Sequence, residues 1–366
     1  MYRGLYVDKP QSVRIHEEQE APLQPHEVRI RTTFASVKHG TEFHLFSGES
    51  PFQDRRFDTQ RRLFVKKEEG EQPDIFAQHF VGNMVVGTVI EIGQGVSKVR
   101  SGDTIYCYGP ACELVTKTEE EVELLCAPMR AWDAMCLDPA LFAFAAVRDS
   151  GARLGNNVVV FGLGAIGLFI VQMLQLSGCA HIVAVDPIEK RRALARGFGA
   201  TTVVDPTLED IGLITRELFD GQGADIAIEA SGNYNALHGA MRAVRNCARV
   251  VTLGYYKGRD AVLELGAEWH HNRLELISSM PVWNNPSREY PHWDRQRITR
   301  TLVDMFLKKR LTSEGIIDPI VPFADAATAF LDIYHNPVHA IKLGISFSSG
   351  GDTQSLTAKG EMNIRY

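Results

Sequence analysis

Hydrophobic positions follow two different patterns along the chain. Up to about residue 135, short segments alternate apolar and polar positions, as half-buried β-strands do; 28–33 and 82–93 are examples. From about 138 to 279, apolar runs alternate with segments of helical period, which predicts a parallel sheet with helices on both faces. The strands of this sheet are predicted at 158–161, 182–185, 202–204, 225–229, 249–253 and 274–278.

The C-terminal part returns to a mixed pattern. An amphipathic helix is predicted at about 293–309, a second helix after Pro322, and a closing strand at 341–347. The tail from Ser348 is polar and is predicted to fray. Nearer the N-terminus, the polar segment 49–78 is long for a loop, which predicts a lid or a mobile insertion.

These patterns place the chain in the α/β fold class with two domains, for which 366 residues are enough. Residues 138–284 are predicted to form a doubly wound parallel sheet of the Rossmann type. The β-rich segments 1–137 and 285–366 are predicted to form the second domain together.

One strand–helix–strand unit carries a nucleotide-binding signature. Gly162, Gly164 and Gly167 follow the predicted strand at G-x-G-x-x-G spacing, and an apolar helix spans about 165–176. These glycines allow a tight turn, close approach to a pyrophosphate, and close packing of helix on strand. Asp186 ends the next strand, where a carboxylate accepts hydrogen bonds from an adenosine ribose and repels a 2′-phosphate. The unit predicts NAD rather than NADP; the alternative is a glycine turn without a ligand.

Further cofactor contacts are predicted where neighbouring strands end, because ligands of open α/β sheets sit at the carboxyl ends of the strands. Arg191 either contacts the adenosine or lies on the surface. The full predicted set is Gly162, Leu163, Gly164, Ala165, Ile166, Gly167, Asp186, Pro187, Arg191, Ala230, Ser231, Leu253 and Gly254.

Composition excludes several other classes of function. Hydrophobic residues make up 45% and charged residues 23% of the chain, as in globular proteins. The net charge of −6 gives no reason to expect nucleic acid, and no apolar run has the length of a membrane span. The N-terminus lacks the apolar core of a signal peptide, and six cysteines without a small-scaffold pattern favour reduced thiols. We therefore expect a cytoplasmic protein that acts on a small molecule.

Together these features resemble the medium-chain dehydrogenase/reductase superfamily, which includes the zinc alcohol and polyol dehydrogenases. Beside the Rossmann block 158–186, the segment 36–44 (SVKHGTEFH) resembles the family's S-x-x-C-G-T-D-x-H, and 81–87 (VGNMVVG) resembles its x-G-H-E-x-x-G. The resemblance implies a GroES-like catalytic domain, a Rossmann domain, and a homodimer or homotetramer formed through the sheet edge near 274–278. The G-T-E form and the WDRQR segment resemble a branch with bacteriochlorophyllide dehydrogenase-like proteins.

The positions of the family's catalytic zinc ligands differ in this chain. They hold His39, Asn83 and Met84, while Asp138, before Pro139, matches a third acidic position of the metal site. An amide oxygen and a thioether are poor zinc ligands, so we expect no catalytic zinc. Asn83 and Asp138 become candidate substrate contacts; the alternative for Asp138 is a helix N-cap.

The resemblance also implies a proton relay through Thr41 and His44, which are spaced to share a helix face. Without a metal, Lys38 or His39 is a candidate to polarise the substrate oxygen, because each can act as acid or base when burial shifts its pKa. The structural alternatives are a helix cap for Thr41, an ordinary helix position for His44, space filling for His39 and a solvated lysine for Lys38.

Three functions follow from these observations. The first is a zinc-independent, NAD-dependent oxidoreductase that interconverts a secondary alcohol and a ketone on a polar polyol, sugar or cyclitol-like substrate. The alternatives are an NAD(P)H-dependent reductase of activated double bonds, as in quinone and enoyl reductases, and a non-catalytic NAD(H)-binding protein.

Overall fold

The computed structural model of this chain describes residues 1–48, 52, 55–68, 79–256, 263–281 and 285–347. These residues divide into two compact units. The first unit contains Met1–Cys136 and the described chain from Thr312 onward; the second contains Leu137–Leu311.

The helices and strands are numbered in chain order. The strands are β1 (Tyr2–Lys9), β2 (Ser12–Glu18), β3 (Glu27–Ser36), β4 (Arg55–Asp58), β5 (Leu63–Lys66), β6 (His79–Phe80), β7 (Met84–Ile92), β8 (Thr104–Tyr108), β9 (Leu114–Thr118), β10 (Val122–Leu124), β11 (Asn157–Phe161), β12 (His181–Val185), β13 (Thr202–Val204), β14 (Ala224–Glu229), β15 (Val244–Thr252), β16 (Glu275–Ser278), β17 (Ile317–Pro322) and β18 (Lys342–Ser346). The helices are α1 (His39–Ser47), α2 (Ala131–Met135), α3 (Leu137–Ser150), α4 (Ala165–Leu176), α5 (Glu189–Gly197), α6 (Ile211–Leu218), α7 (Tyr234–Ala243), α8 (Glu268–His271), α9 (Arg295–Leu307) and α10 (Ala326–His335).

The larger sheet of the first unit has the strand order β10-β8-β7-β3-β18-β17, and β9 also pairs with β3. Near its centre, Ser36 on β3 lies opposite Met84 on β7 and opposite Gly344 on β18. The chain therefore leaves β3, enters β7 and enters β18 at neighbouring points. This register brings the segments 37–44 and 81–83 together with the first residue of β18.

Helix α1, which follows β3 after two residues, is held against α10 by aromatic rings. Phe46 is fully buried, and its ring centroid lies 5.2 Å from that of Phe330 and 4.8 Å from that of Tyr334. Phe43 contacts the same two rings from the preceding turn of α1. The apolar side of α1 is thus fixed in the core of the first unit.

The second unit contains a parallel sheet in the order β13-β12-β11-β14-β15-β16. Its central strand carries three consecutive valines, 158–160, that are fully buried, as expected of a strand covered by helices on both faces. The chain moves from β11 outward to β13 and then returns to β14 on the other side. The predicted fold class is confirmed, and the predicted strands are present.

Helix α9 packs within the second unit. Its residues Ile298, Leu302 and Phe306 are buried, and the ring of Phe306 lies 5.8 Å from that of Phe169 on α4. The sequence analysis assigned 285–311 to the other domain. The amphipathic pattern predicted this helix correctly, but the pattern does not show which core the apolar face covers.

Part of the predicted insertion 49–78 forms an antiparallel hairpin of β4 and β5. Residues 49–51, 53–54 and 69–78 lie outside the described residues, as does the tail from Ser348. Within the described ranges, no helix has both the length and the apolar character needed to cross a membrane.

Candidate active site

The glycine turn after β11 has the geometry that the motif predicts. Gly162 has a φ of +82°, which favours glycine. A Cβ atom at Gly167 would lie 1.8 Å from the carbonyl oxygen of Gly162, so only glycine lets α4 pack this close to the turn. Gly164 is the N-cap of α4, and a Cβ there would meet no other atom of the chain within 4 Å. The turn therefore leaves open space at a helix N-terminus, where a phosphate binds favourably.

Asp186 connects the end of β12 to this turn. Its Oδ2 accepts a hydrogen bond from the backbone nitrogen of Leu163 at 2.8 Å, and its Oδ1 accepts one from Ile188 at 2.9 Å. The Nη1 atom of Arg191 lies 3.7 Å from the same Oδ2. Because a carboxylate can accept about four hydrogen bonds, Asp186 keeps acceptor capacity for a ribose hydroxyl.

A buried carboxylate that the sequence analysis missed orders the loop after β14. Glu229 is fully buried and accepts hydrogen bonds from Ser231, from the backbone nitrogen of Gly232 at 3.2 Å, and from the Tyr256 hydroxyl at 2.5 Å. Burial raises the pKa of Glu229, and the hydrogen bonds from Ser231 and Tyr256 oppose this shift. The sequence signal was a glutamate at the end of an apolar strand.

The residues predicted to bind the cofactor lie together at one rim of the second unit. They follow β11, β12, β14 and β15, whose carboxyl ends meet at the same edge because the strands are parallel. A Cβ at Gly254 would lie 2.1 Å from the backbone nitrogen of Gly232, so the loops after β14 and β15 are in direct contact. Pro187 is exposed at the same rim.

In the first unit, the predicted relay residues lie on α1. The carbonyl oxygen of Lys38 accepts hydrogen bonds from Thr41 at 3.0 Å and from Glu42 at 2.9 Å, so Thr41 lies inside the first turn and is not the cap. Thr41 is exposed, whereas His44, three residues later, is 5% exposed. Lys38 is half-buried.

His39 is oriented by strand β18. Its Nε2 accepts a hydrogen bond from the backbone nitrogen of Leu343 at 3.3 Å, and its ring stacks on Phe43 with centroids 4.8 Å apart. Since Nε2 is the acceptor, the proton of the neutral ring is on Nδ1. This nitrogen is then a donor, which limits His39 as a base in this arrangement.

Lys342, also missed in the sequence analysis, lies beside Asn83. Its side chain is buried, and Nζ donates hydrogen bonds to the carbonyl oxygen of Val37 at 2.9 Å and to Oδ1 of Asn83 at 3.2 Å. The charge of Lys342 also acts on the buried thiol of Cys136, whose pKa it lowers. Burial has the larger effect and raises the pKa of this thiol to about 12. The signal in the sequence was one lysine at the start of the mostly apolar closing strand.

The other two positions that match the family's metal site, Met84 and Asp138, do not supply the zinc ligands that are missing at His39 and Asn83. Met84 is 2% exposed and packs in the core at the start of β7. Asp138 is buried in the first turn of α3, in the second unit. Across the described ranges, no group of three or more His, Cys, Asp or Glu side chains is arranged to hold a metal ion. An ammonium on Asn83 repels a metal cation, so the residues present do not fit a zinc ion.

Comparisons with known proteins agree with this fold. A family model described as zinc-binding dehydrogenase matches residues 165–288. The chain is 34% identical over 350 residues to the D-guloside 3-dehydrogenase of Escherichia coli (strain K12), a match that covers 94% of this chain and 100% of the relative.

Two solved structures have the same fold at low sequence identity. Galactitol-1-phosphate dehydrogenase from Escherichia coli gives a TM-score of 0.74 at 18% identity, with 94% of this chain and 99% of that chain covered. A quinone oxidoreductase from Pseudomonas syringae pv. Tomato DC3000 gives 0.71 at 16% identity, with 94% and 100% covered. The fold alone therefore does not separate alcohol oxidation from double-bond reduction.

Proposed function

Because this chain belongs to the medium-chain dehydrogenase/reductase superfamily of alcohol dehydrogenase-like enzymes, we propose that it oxidises a secondary hydroxyl of a sugar derivative, polyol or cyclitol to a ketone. In this proposal the enzyme uses NAD⁺ and no catalytic zinc. The observation that carries it is the buried ammonium of Lys342 on Asn83, at a position where the family's zinc ligands lie. The similarity to a D-guloside 3-dehydrogenase over the relative's full length supports a sugar derivative as substrate.

The preference for NAD⁺ rests on Asp186. Its buried carboxylate is fixed at the rim by Leu163 and Ile188, where a 2′-phosphate would meet a negative charge. Arg191, at 3.7 Å from that carboxylate, is the feature that would favour NADP⁺. The proposal is that the carboxylate dominates, because backbone donors already hold it in place at the rim.

When bound, NAD⁺ supplies the acceptor for the hydride. The chain must then provide a route for the hydroxyl proton, and we assign this route to Thr41 and His44. The exposed Thr41 hydroxyl receives the proton, and the imidazole of His44 on the next turn of α1 passes it on. Lys38, which lies directly before α1, is proposed to contact the substrate. His39 holds the first turn of α1 in place through the hydrogen bond that it accepts from the backbone nitrogen of Leu343.

The first experiment measures nicotinamide absorbance while chelator-treated protein is incubated with NAD⁺ and a panel of glycosides, polyols and cyclitols. We expect NADH to form with at least one sugar derivative, and added zinc not to increase the rate. Loss of activity on chelation would contradict the zinc-independent mechanism. Silence across the panel, with NADH binding confirmed separately, would favour the double-bond reductase or the non-catalytic function.

We also propose that two copies associate through β16. This strand is the edge of the parallel sheet, and Leu276 on it is 45% exposed. An unpaired edge strand with an apolar residue is a template for pairing with a second strand. Sedimentation of the protein as a monomer at micromolar concentration would contradict a stable homodimer or homotetramer.

A further inference from the structure

The carboxylate of Glu229 joins two loops of the rim that is predicted to bind the cofactor: the β14 loop, 230–233, and the β15 loop, 253–256. Its Oε1 accepts hydrogen bonds from the backbone nitrogen and the hydroxyl of Ser231 in the β14 loop. Its Oε2 accepts one at 2.5 Å from the hydroxyl of Tyr256 in the β15 loop. We propose that Tyr256 is a positioning residue for the cofactor, whose hydroxyl fixes the β15 loop against the β14 loop through Glu229. This inference rests on the nucleotide binding of the proposed function.

Two glycines let the backbones of these loops pack directly against each other. A Cβ atom at Gly254 would lie 2.1 Å from the backbone nitrogen of Gly232 and 3.0 Å from Oε2 of Glu229. Gly232 has a φ of +70°, and a Cβ there would lie 2.6 Å from the carbonyl oxygen of Tyr255. Because neither position carries a side chain, one carboxylate reaches donors in both loops. Glu229 therefore bridges two segments that follow neighbouring strands and that both hold predicted cofactor contacts.

Four donor groups already point at this carboxylate. Two are backbone nitrogens, those of Ser231 at 2.6 Å and Gly232 at 3.2 Å, and two are the hydroxyls of Ser231 and Tyr256. The Ser231 hydroxyl accepts a hydrogen bond from the backbone nitrogen of Asn233 at 3.1 Å, which directs its own proton toward Glu229. A carboxylate accepts about four hydrogen bonds, so these groups occupy its capacity. Glu229 therefore acts on a bound cofactor through the loops and not by direct contact.

Replacing Tyr256 with phenylalanine removes the hydrogen bond and keeps the ring. Burial and the charge of Glu229 raise the pKa of Tyr256, so the hydroxyl keeps its proton and donates at neutral pH. The ring lies 5.0 Å from that of Tyr234 on α7, a contact that phenylalanine can also make. Without the hydroxyl, the link between the β15 loop and the carboxylate is weaker, and the cofactor must order this loop when it binds. Such ordering lowers affinity.

The test measures NADH affinity by fluorescence titration and stability by thermal unfolding, in Tyr256→Phe and in a matched control. The control, Ser313→Ala, removes a hydroxyl that donates at 2.6 Å to another buried carboxylate, that of Asp133 in the first unit. We expect Tyr256→Phe to raise the Kd for NADH by about tenfold, as expected for a lost hydrogen bond to a charged group. At saturating NAD⁺, kcat should fall less than about threefold, because binding and not the chemical step is affected. Ser313→Ala should lower the unfolding midpoint and leave the Kd unchanged.

A double variant shows whether the hydroxyl acts through the carboxylate. In Glu229→Gln, an amide group places N–H donors where the carboxylate accepts, so the two loops lose their shared acceptor. Adding Tyr256→Phe should then raise the Kd less than about twofold further, because residues that act as a unit are not additive. Changes in Kd that multiply would mean that Tyr256 contacts the cofactor directly, which overturns the positioning role.

The outcomes separate this inference from the proposed function. A folded wild type that does not bind NADH overturns both. A wild type that binds NADH and oxidises no sugar derivative contradicts only the proposed function, since affinity is the readout for Tyr256. Normal NADH affinity in Tyr256→Phe, or an equal loss in Ser313→Ala, overturns the role of Tyr256 alone. Should Glu229→Gln fail to fold, the comparison of these two single variants still decides.

Discussion

The carboxylate of Asp186 lies 2.8 Å from the backbone nitrogen of Leu163 and accepts its hydrogen bond. The residue proposed to select the nucleotide is therefore joined directly to the turn proposed to bind its phosphates. The two strands involved, β12 and β11, are neighbours in register, with Val185 beside Phe161. Nucleotide selection and phosphate binding should accordingly respond together to changes at either residue.

Replacing Asp186 with serine should shift the enzyme toward NADP⁺. The substitution removes the negative charge, while Arg191 remains nearby to pair with a 2′-phosphate. We expect the ratio of kcat/KM for NADP⁺ to that for NAD⁺ to rise by about 100-fold, because like charges in contact cost several kcal/mol. The double variant Asp186→Ser/Arg191→Ala should lose most of this gain. An unchanged ratio in the single variant would show that Asp186 does not select the nucleotide.

Gly164→Ala should weaken cofactor binding with only a small effect on folding. Its Cβ would meet no atom of the chain within 4 Å, but it would project into the space proposed for the pyrophosphate. We expect the Kd for NADH to rise about tenfold or more, a loss near 1.4 kcal/mol, while the unfolding midpoint falls only slightly because Ala is a poorer N-cap than Gly.

Two other glycines serve as controls for that prediction. Gly197→Ala, at the end of α5, also meets no atom within 4 Å; it should leave NADH affinity unchanged and raise the unfolding midpoint slightly, because Ala favours the helix more than Gly does. Gly167→Ala should destabilise the protein, since its Cβ would lie 1.8 Å from the carbonyl oxygen of Gly162. Fluorescence titration and thermal unfolding measure both properties. Normal NADH affinity in Gly164→Ala would place the phosphates elsewhere.

Asp210 stabilises the second unit in two separable ways. It caps α6 by accepting hydrogen bonds from Gly212 and Leu213, and it pairs with Arg242 at 2.9 Å. Asp210→Ala should reduce the free energy of unfolding by about 1 kcal/mol, the usual cost of a lost N-cap. Asp210→Asn keeps the cap and should lose less. Urea unfolding measures both differences, and equal losses would show that the cap contributes nothing.

The same residue predicts a pH dependence. The side-chain hydrogen bond from Arg242 lowers the pKa of Asp210 below its ordinary value of 3.8. The contribution of the carboxylate is thus present above about pH 3.8 and is lost as the pH falls through the lower, folded pKa. The stability difference between wild type and Asp210→Asn should therefore shrink in acid. A difference that stays constant between pH 7 and pH 3 would contradict this assignment.

The sequence predicted local features well and distant contacts poorly. The strands of the parallel sheet were found because both faces are buried, which gives continuous apolar runs between glycine turns. The two segments that carry His39 and Asn83 were singled out by their resemblance to family motifs, and in the structure they are adjacent, with the backbone nitrogen of Asn83 donating to the carbonyl oxygen of Ser36 at 2.8 Å. Lys342 was missed because it lies 259 residues from Asn83, and the pattern of a single strand does not show which loop its first residue meets. Glu229 was missed for a similar reason, since its partner Tyr256 follows a different strand.

Thr41 provides the sharpest test of the proposed proton route. Thr41→Val keeps the shape of the side chain but removes the hydroxyl, so we expect kcat to fall by about 100-fold, the low end of general acid–base contributions. Thr41→Ser keeps the hydroxyl and should retain most of kcat. Ser47→Ala removes another hydroxyl from α1, one that donates a hydrogen bond to the carbonyl oxygen of His44 at 3.3 Å, and should leave kcat unchanged.

The solvent isotope effect on kcat separates this role from a structural one. If the Thr41 hydroxyl carries the proton, the effect should grow in Thr41→Val, because water must replace the missing group in a slower transfer. NADH affinity should stay constant in all three variants, since α1 lies outside the unit that carries the glycine turn. Full activity in Thr41→Val would mean that the proton leaves by another path, and His44 would then be a buried residue of the helix.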